Sequence, residues 1–206
     1  MPPSLPSRKH VLDFLATAGD WADARDRDLF VVLADFRNPA FDAVFPRLSI
    51  GADAAPLWLG LAVLIALRPG PLRRAASRGT GSLALASVTT NLLLKRITRR
   101  PRPPLEKLHP RHAFPPQPRT TSFPSGHAAS GVGFAAGAAA ACPPLALPLG
   151  ALAGAICYSR VYSGAHYPGD VFAGVTVGAI CGAAIDMSWL PDAVFRGLNA
   201  ARRRIR

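Results

Sequence analysis

The sequence predicts an all-α protein, a polytopic membrane bundle of about five spanning helices preceded by amphipathic helices at the interface. Three observations lead there. Half of the 206 residues are apolar while the formal charge is +12, so the two kinds of residue have to be kept apart. Uncharged runs do cover Ala54 to Leu67, Gly79 to Leu94, Ala128 to Ser159 and Val171 to Ile185, and Pro143, Pro144 and Pro148 divide the third into two helices. Gly133 and Gly137, Gly150 and Gly154, and Gly174, Gly178 and Gly182 repeat every four positions, a stripe that lets helices approach closely in lipid. Each run needs its flanks to reach the roughly 20 residues that cross a bilayer, with terminal Arg and Lys side chains snorkelling to the headgroups. A soluble helical protein with buried hairpins is the alternative reading.

Residues 1–47 make up an N-terminal tail and the interfacial helices. Met1 to His10 is proline-rich. From Val11 to Phe45 apolar residues recur at helical spacing among many aspartates and arginines, which predicts amphipathic helices whose carboxylates form a solvated face. Asp13 and Asp20 interrupt the apolar stretch there, so no cleavable signal peptide is expected.

Residues 48–190 form the embedded domain. Its first span, near Pro56 to Leu67, leads into a short acid-free loop with Arg68, Arg73, Arg74 and Arg78, cytoplasmic by the positive-inside rule. The second span ends in NLLLKRITRRPRP, where Lys95, Arg99 and Arg102 would share a face if the helix ran on, and Pro101, Pro103 and Pro104 stop it. Asn91 reads as an interhelical hydrogen bond. The proline-rich loop from Glu106 to Phe123, with His109 and His112, is either an access rim or a plain connection. Pro124 and Gly126 then mark a turn, and Ser125 is placed to cap the third span, His127 to Ala141. The fourth runs from Leu145 to Tyr158 and the fifth from Pro168 to Ile185, with Trp189 as an interface anchor. Residues 191–206 form a basic tail suited to anionic lipid.

The excess of Arg and Lys carries no nucleic-acid recognition motif and no interleaved aromatics, so lipid headgroups or a phosphorylated substrate suit it better. Cys142, Cys157 and Cys181 lie in apolar runs without ligand spacing and read as buried free thiols.

Chemistry concentrates in SRVYSGAHYPGD, Ser159 to Asp170. His166 and Asp170 stand four apart, and Pro168 suits the first turn of a helix. Asp170 then lies in that turn, within reach of His166. A carboxylate on one imidazole nitrogen frees the other as nucleophile or base; the same pair also fits a capping Asp and a satisfied His. Antiparallel hairpins bring the end of span two, the start of three, the end of four and the start of five to one side. Lys95 and Arg102, Ser125 to His127, Ser159 and Arg160, and His166 to Asp170 therefore share a face. The start of span three also offers unpaired N–H groups that suit a phosphate.

Lys95 with Arg102-Pro103, then Pro124-Ser125-Gly126-His127, then Ser159-Arg160 with His166 and Asp170 resemble the tripartite signature of the type 2 phosphatidic acid phosphatase superfamily, shared with vanadium haloperoxidases. The resemblance spans Lys95 to Asp170 and is looser elsewhere. It implies a lipid phosphatase that needs no metal or cofactor and acts on a phosphatidate, phosphatidylglycerophosphate or polyprenyl (di)phosphate in the bilayer. His166 would be the nucleophile, Asp170 its orienting partner and His127 the general acid. Lys95, Arg102, Ser125, Gly126 and Arg160 would bind phosphate, and Ser159 would be structural support. The family usually places this face outside the cytoplasm, which agrees with a basic first loop inside. A vanadate haloperoxidase or a noncatalytic anionic-lipid binder are the competing readings.

Overall fold

The computed structural model describes residues 8–36, 38–51, 56–104, 117 and 119–185, and all regular structure among them is helical. The helices are α1 (Arg8–Asp35), α2 (Pro39–Gly51), α3 (Pro56–Ala66), α4 (Pro71–Val88), α5 (Lys95–Ile97), α6 (Gly126–Ala141), α7 (Ala146–Tyr162) and α8 (Pro168–Ala184). A π-helical segment, Thr89–Leu94, joins α4 to α5 without a break, and a 3₁₀ turn, Pro143–Leu145, precedes α7.

α6 is the central helix because its small residues admit backbone on two sides. A Cβ on Gly133 would stand 3.1 Å from the Ser82 carbonyl oxygen of α4. From α8, a Cβ on Gly178 would stand 2.5 Å from the Ala129 carbonyl oxygen, and one on Gly182 would stand 2.6 Å from Ala136 Cβ. Two of the three glycine stripes therefore serve helix contact as expected. Gly150 and Gly154 have open space around them. Below this contact Trp58 of α3 packs on Phe134, ring centres 5.1 Å apart, closing a core with Ala75, Leu83, Ala138, Leu149 and Ile156.

Several expectations are corrected. Arg73, Arg74 and Arg78 lie in α4, not in a loop, since Pro71 supplies a helix start ahead of them. The helix after Lys95 stops at Ile97, and Thr98 is extended, so Lys95, Arg99 and Arg102 share no helical face. The stop precedes Pro101 because the Thr98 hydroxyl, pointing to the Leu94 and Phe123 carbonyls, ties this segment across to the start of α6. α7 runs one turn further than expected, so Ser159 and Arg160 are inside it, and α2 continues past residue 47. Among the described residues, only Pro143–Tyr162, 20 residues long, is long and apolar enough to cross a bilayer alone. Pro56–Ala66 and Pro168–Ala184 are apolar but shorter, so helix length leaves the count of about five spans without support.

The N-terminal carboxylates are not a purely solvated face. Asp42 accepts a 2.6 Å hydrogen bond from the Tyr162 hydroxyl, and Asp23 and Asp26 meet Arg100. α1 and α2 are folded onto the basic end of the bundle, with Phe30 edge-on to Tyr167 and Phe41 and Phe45 against Tyr158 and Tyr162. The Glu106–Phe123 loop as far as Pro116, Trp189 and the 191–206 tail lie outside the described residues.

Candidate active site

Local rules build the turn that carries His166. Gly164 adopts φ +66°, the left-handed conformation that ends helices and that glycine tolerates without steric cost. The chain folds back there, and the amides of Ala165 and His166 both donate to the Arg160 carbonyl, at 3.0 and 3.1 Å. α8 then starts with Pro168 in its first turn, and Asp170 Oδ2 accepts the Tyr167 amide at 2.9 Å. This satisfies one of the unpaired N–H groups of a helix start. Ser125 caps α6 as expected, accepting from the Ala128 amide at 3.5 Å. Its own amide donates to the Asp170 carbonyl at 2.9 Å, fastening the start of α6 to the start of α8.

The signature residues are thereby brought together. His166 is buried, with Nε2 3.3 Å from Arg102 Nη1. Arg102 also donates to the Ala165 carbonyl at 2.6 Å and to Thr120 O and Oγ1 at 2.9 and 3.1 Å. His166 Nδ1 stands 3.6 Å from Asp170 Oδ2, too far for a hydrogen bond, and Nδ1 has no hydrogen-bond partner. Asp170 is fully buried. Its Oδ2 takes the Ser122 hydroxyl as well as the Tyr167 amide, and its Oδ1 takes Arg100 Nη1 at 2.7 Å. His127 lies within electrostatic reach of Arg160, His166, Lys95 and Arg102. Burial pushes the His166 imidazole down from 6.5 to about 4; Asp170 works against this and Arg102 and Arg160 reinforce it. The ring is neutral at physiological pH, with a lone pair available. Among the described residues no three His, Cys, Asp or Glu side chains gather as a metal-ligand set.

Sequence reasoning missed three partners. Arg100 and Ser122 hold Asp170, and Ser49 of α2 accepts Arg160 Nη1 at Oγ, 2.6 Å, and at its carbonyl, 3.1 Å. Arg100 was hidden in a run of arginines, and nothing in the sequence around Ser49 marks it. Ser159 is structural as expected, its hydroxyl donating to the Ile156 carbonyl at 2.7 Å. Asn91 donates within its own helix to Ser87 and packs on Gly126, where a Cβ would lie 2.9 Å from Asn91 Oδ1.

A family model described as the PAP2 superfamily matches residues 79–191, which include every signature position. The decaprenylphosphoryl-5-phosphoribose phosphatase of Mycobacterium tuberculosis is 37% identical over 150 residues, 71% of this chain and 76% of that protein. The crystal structure of Aquifex aeolicus LpxE is similar at TM-score 0.62 and 26% identity, over 76% of this chain and 91% of its own. A transmembrane PAP2 type phosphatidylglycerolphosphate phosphatase from Bacillus subtilis shares the fold at TM-score 0.60 and 21% identity, over 95% of this chain and 96% of its own. The chain belongs to the PAP2 superfamily. It is a phosphatase.

Proposed function

We propose that this phosphatase is a multi-pass membrane enzyme that hydrolyses a phosphomonoester or diphosphate on a membrane lipid through a phosphohistidine at His166. The observation that carries the reading is the His166 environment: Nε2 beside Arg102 at 3.3 Å, Nδ1 facing Asp170 at 3.6 Å. An arginine N–H facing Nε2 suits the tautomer with the proton on Nδ1, leaving the Nε2 lone pair for phosphorus. The substrate phosphate draws Arg102 onto its oxygens, together with Lys95, Arg160, the Ser125 hydroxyl and the Gly126 N–H. Nε2 then bonds to phosphorus in line as the P–O bond to the leaving group breaks. His127 gives its proton to the departing oxygen. Charge spreads onto the imidazole, and Nδ1–H closes on Asp170 Oδ2. A contact that is too long at rest and shortens as charge develops stabilises the transition state more than the ground state. His127, now without its proton, takes one from a water on the opposite side of phosphorus; the water oxygen bonds to phosphorus as the P–N bond breaks, releasing phosphate and returning neutral His166.

The Mycobacterium tuberculosis relative, named for a decaprenylphosphoryl phosphoribose, supports a prenyl-linked phosphomonoester as substrate. Arg73, Arg74 and Arg78 sit at the end of α4 remote from Lys95. That placement agrees with the family's usual catalytic face outside the cytoplasm, while Arg96, Arg99 and Arg100 crowd the catalytic end as well, so the positive-inside rule alone does not set the orientation.

The test is phosphate release by purified protein from phosphatidate, phosphatidylglycerophosphate and polyprenyl mono- and diphosphates in EDTA. Activity is expected with EDTA present, and is expected to vanish in His166→Ala and His127→Ala. Quenching in alkaline denaturant should trap phosphate on the wild type that is stable to base and released by acid. Full activity in His166→Ala would refute the mechanism.

A further inference from the structure

Arg100 is not a signature residue, yet three carboxylates from both ends of the chain converge on it. Nη1 lies 2.7 Å from Asp170 Oδ1 and 2.8 Å from Asp26 Oδ2, and Nη2 lies 2.5 Å from Asp23 Oδ1. The Arg100 side chain is 17% exposed, and its guanidinium carbon lies 4.3 Å from the Tyr167 ring centre. α1 also touches the catalytic turn directly, because Asp26 Oδ1 accepts the Gly169 amide at 2.6 Å. A Cβ at position 169 would come within 2.7 Å of Asp26 Oδ2, so glycine there lets the helix dock.

A carboxylate can rotate about its last side-chain bond, and His166 needs one oxygen held towards Nδ1. Arg100 Nη1 on the other oxygen, whose guanidinium is in turn fixed by Asp23 and Asp26, opposes that rotation together with the Ser122 hydroxyl and the Tyr167 amide on Oδ2. A lone arginine would also cancel much of the field that Asp170 exerts on His166. Two further carboxylates on the same guanidinium offset that loss, so the fork fixes geometry while Asp170 remains electrostatically effective.

We propose that Arg100, locked by Asp23 and Asp26 of the N-terminal helix, is a positioning residue for the phosphatase reaction, pinning Asp170 through Oδ1 so that Oδ2 stays aimed at His166 Nδ1. The inference rests on the phosphohistidine reading above, and it makes docking of α1 part of the catalytic apparatus.

The experiment measures steady-state phosphate release by the full chain in detergent on dioctanoyl phosphatidate or farnesyl diphosphate, whichever the wild type turns over faster. Arg100→Met is expected to lower kcat by about 10- to 100-fold, the usual scale for losing a support of an active group, with KM changed less than about threefold. Arg100→Lys should recover part of the loss, since it keeps charge but not the fork. Asp23→Asn and Asp26→Asn should each cost less, and Asp26→Asn should add nothing in the Arg100→Met background. The groups facing His166 are Asp170, Arg102, Arg160 and His127, with Lys95 nearby. Removing the Arg100 cation from behind Asp170 lets His166 charge more readily, so the acid limb of kcat/KM should move to higher pH. A merely structural role would lower the active fraction and leave that limb in place.

Wild-type kcat and pH profile in Arg100→Met would overturn the proposal, as would a loss confined to KM or strict additivity with Asp26→Asn. If Arg100→Met yields no folded protein, Arg100→Lys and Asp26→Asn decide it, and wild-type constants in both refute it. A wild type that releases no phosphate from any lipid sinks the function itself. An active wild type with unaffected Arg100 variants sinks only this inference.

Discussion

Gly178→Ala tests whether the α6–α8 contact sets the catalytic geometry. A Cβ there would stand 2.5 Å from the Ala129 carbonyl oxygen, 2.8 Å from the Gly133 amide nitrogen and 3.0 Å from Val132 Cβ. The first neighbours are backbone, so no side-chain rotation makes room. Reaching an ordinary contact of 3.4 Å requires α8 to retreat by roughly 0.5–1 Å, and overpacking of this kind costs about 1–3 kcal/mol. α8 carries Asp170 in its first turn and α6 carries Ser125 and His127, joined by one 2.9 Å backbone hydrogen bond from Ser125 to Asp170. A displacement of about 1 Å between reacting groups lowers rate by about 100-fold. The expected result is therefore kcat/KM reduced about 10- to 100-fold together with a lower thermal midpoint in detergent. Gly150→Ala, at a position with nothing within 4 Å, is the matched control; it should keep kcat/KM and hold or slightly raise the midpoint, through a gain in helix propensity of up to about 1 kcal/mol. Indistinguishable behaviour of the two variants would refute the packing argument.

Three further outcomes are expected. Burial lowers the His166 imidazole from 6.5 to about 4, so the neutral ring that the proposed mechanism uses as nucleophile is expected to persist as pH falls through 6.5 and to be lost only near 4. The acid limb of kcat/KM, measured with short-chain substrate, should lie well under 6.5. Ser49→Ala removes the hydroxyl that Arg160 holds at 2.6 Å; a hydrogen bond to a charged group contributes about 1.5–3 kcal/mol, so kcat/KM should fall at least about tenfold, read by titrating substrate. Gly164→Ala places a Cβ where φ is +66°, costing about 1 kcal/mol of stability and misaligning the His166 amide, with lower activity and thermal midpoint as the readouts.

Much of the site was legible because the chemistry constrains residue type and local spacing. Pro168 and Asp170 belong to a helix start and Ser125 to a cap, and such local geometry is written within a few positions of the chain. Helix alternation then placed those segments at one end. The supporting partners were not legible, since Ser49 reaches Arg160 and Asp26 reaches Gly169 across more than a hundred positions. Charge pattern alone could not separate Asp23 and Asp26 from their solvated neighbours on α1, because a carboxylate's role depends on which cation the folded chain brings to it.

By itself the sequence determined the all-helical class, the order of the helices and the set of residues for which we propose the roles of nucleophile, acid and cations, all of which follow from residue type and short spacing. Only the tertiary structure decided which glycine stripes are helix contacts, since Gly150 and Gly178 are alike in the chain and differ only in what stands opposite. It also decided that the N-terminal carboxylates close on Arg100 behind Asp170. The reason is the same in both cases: spacing along a helix specifies a face, and only packing specifies what that face meets.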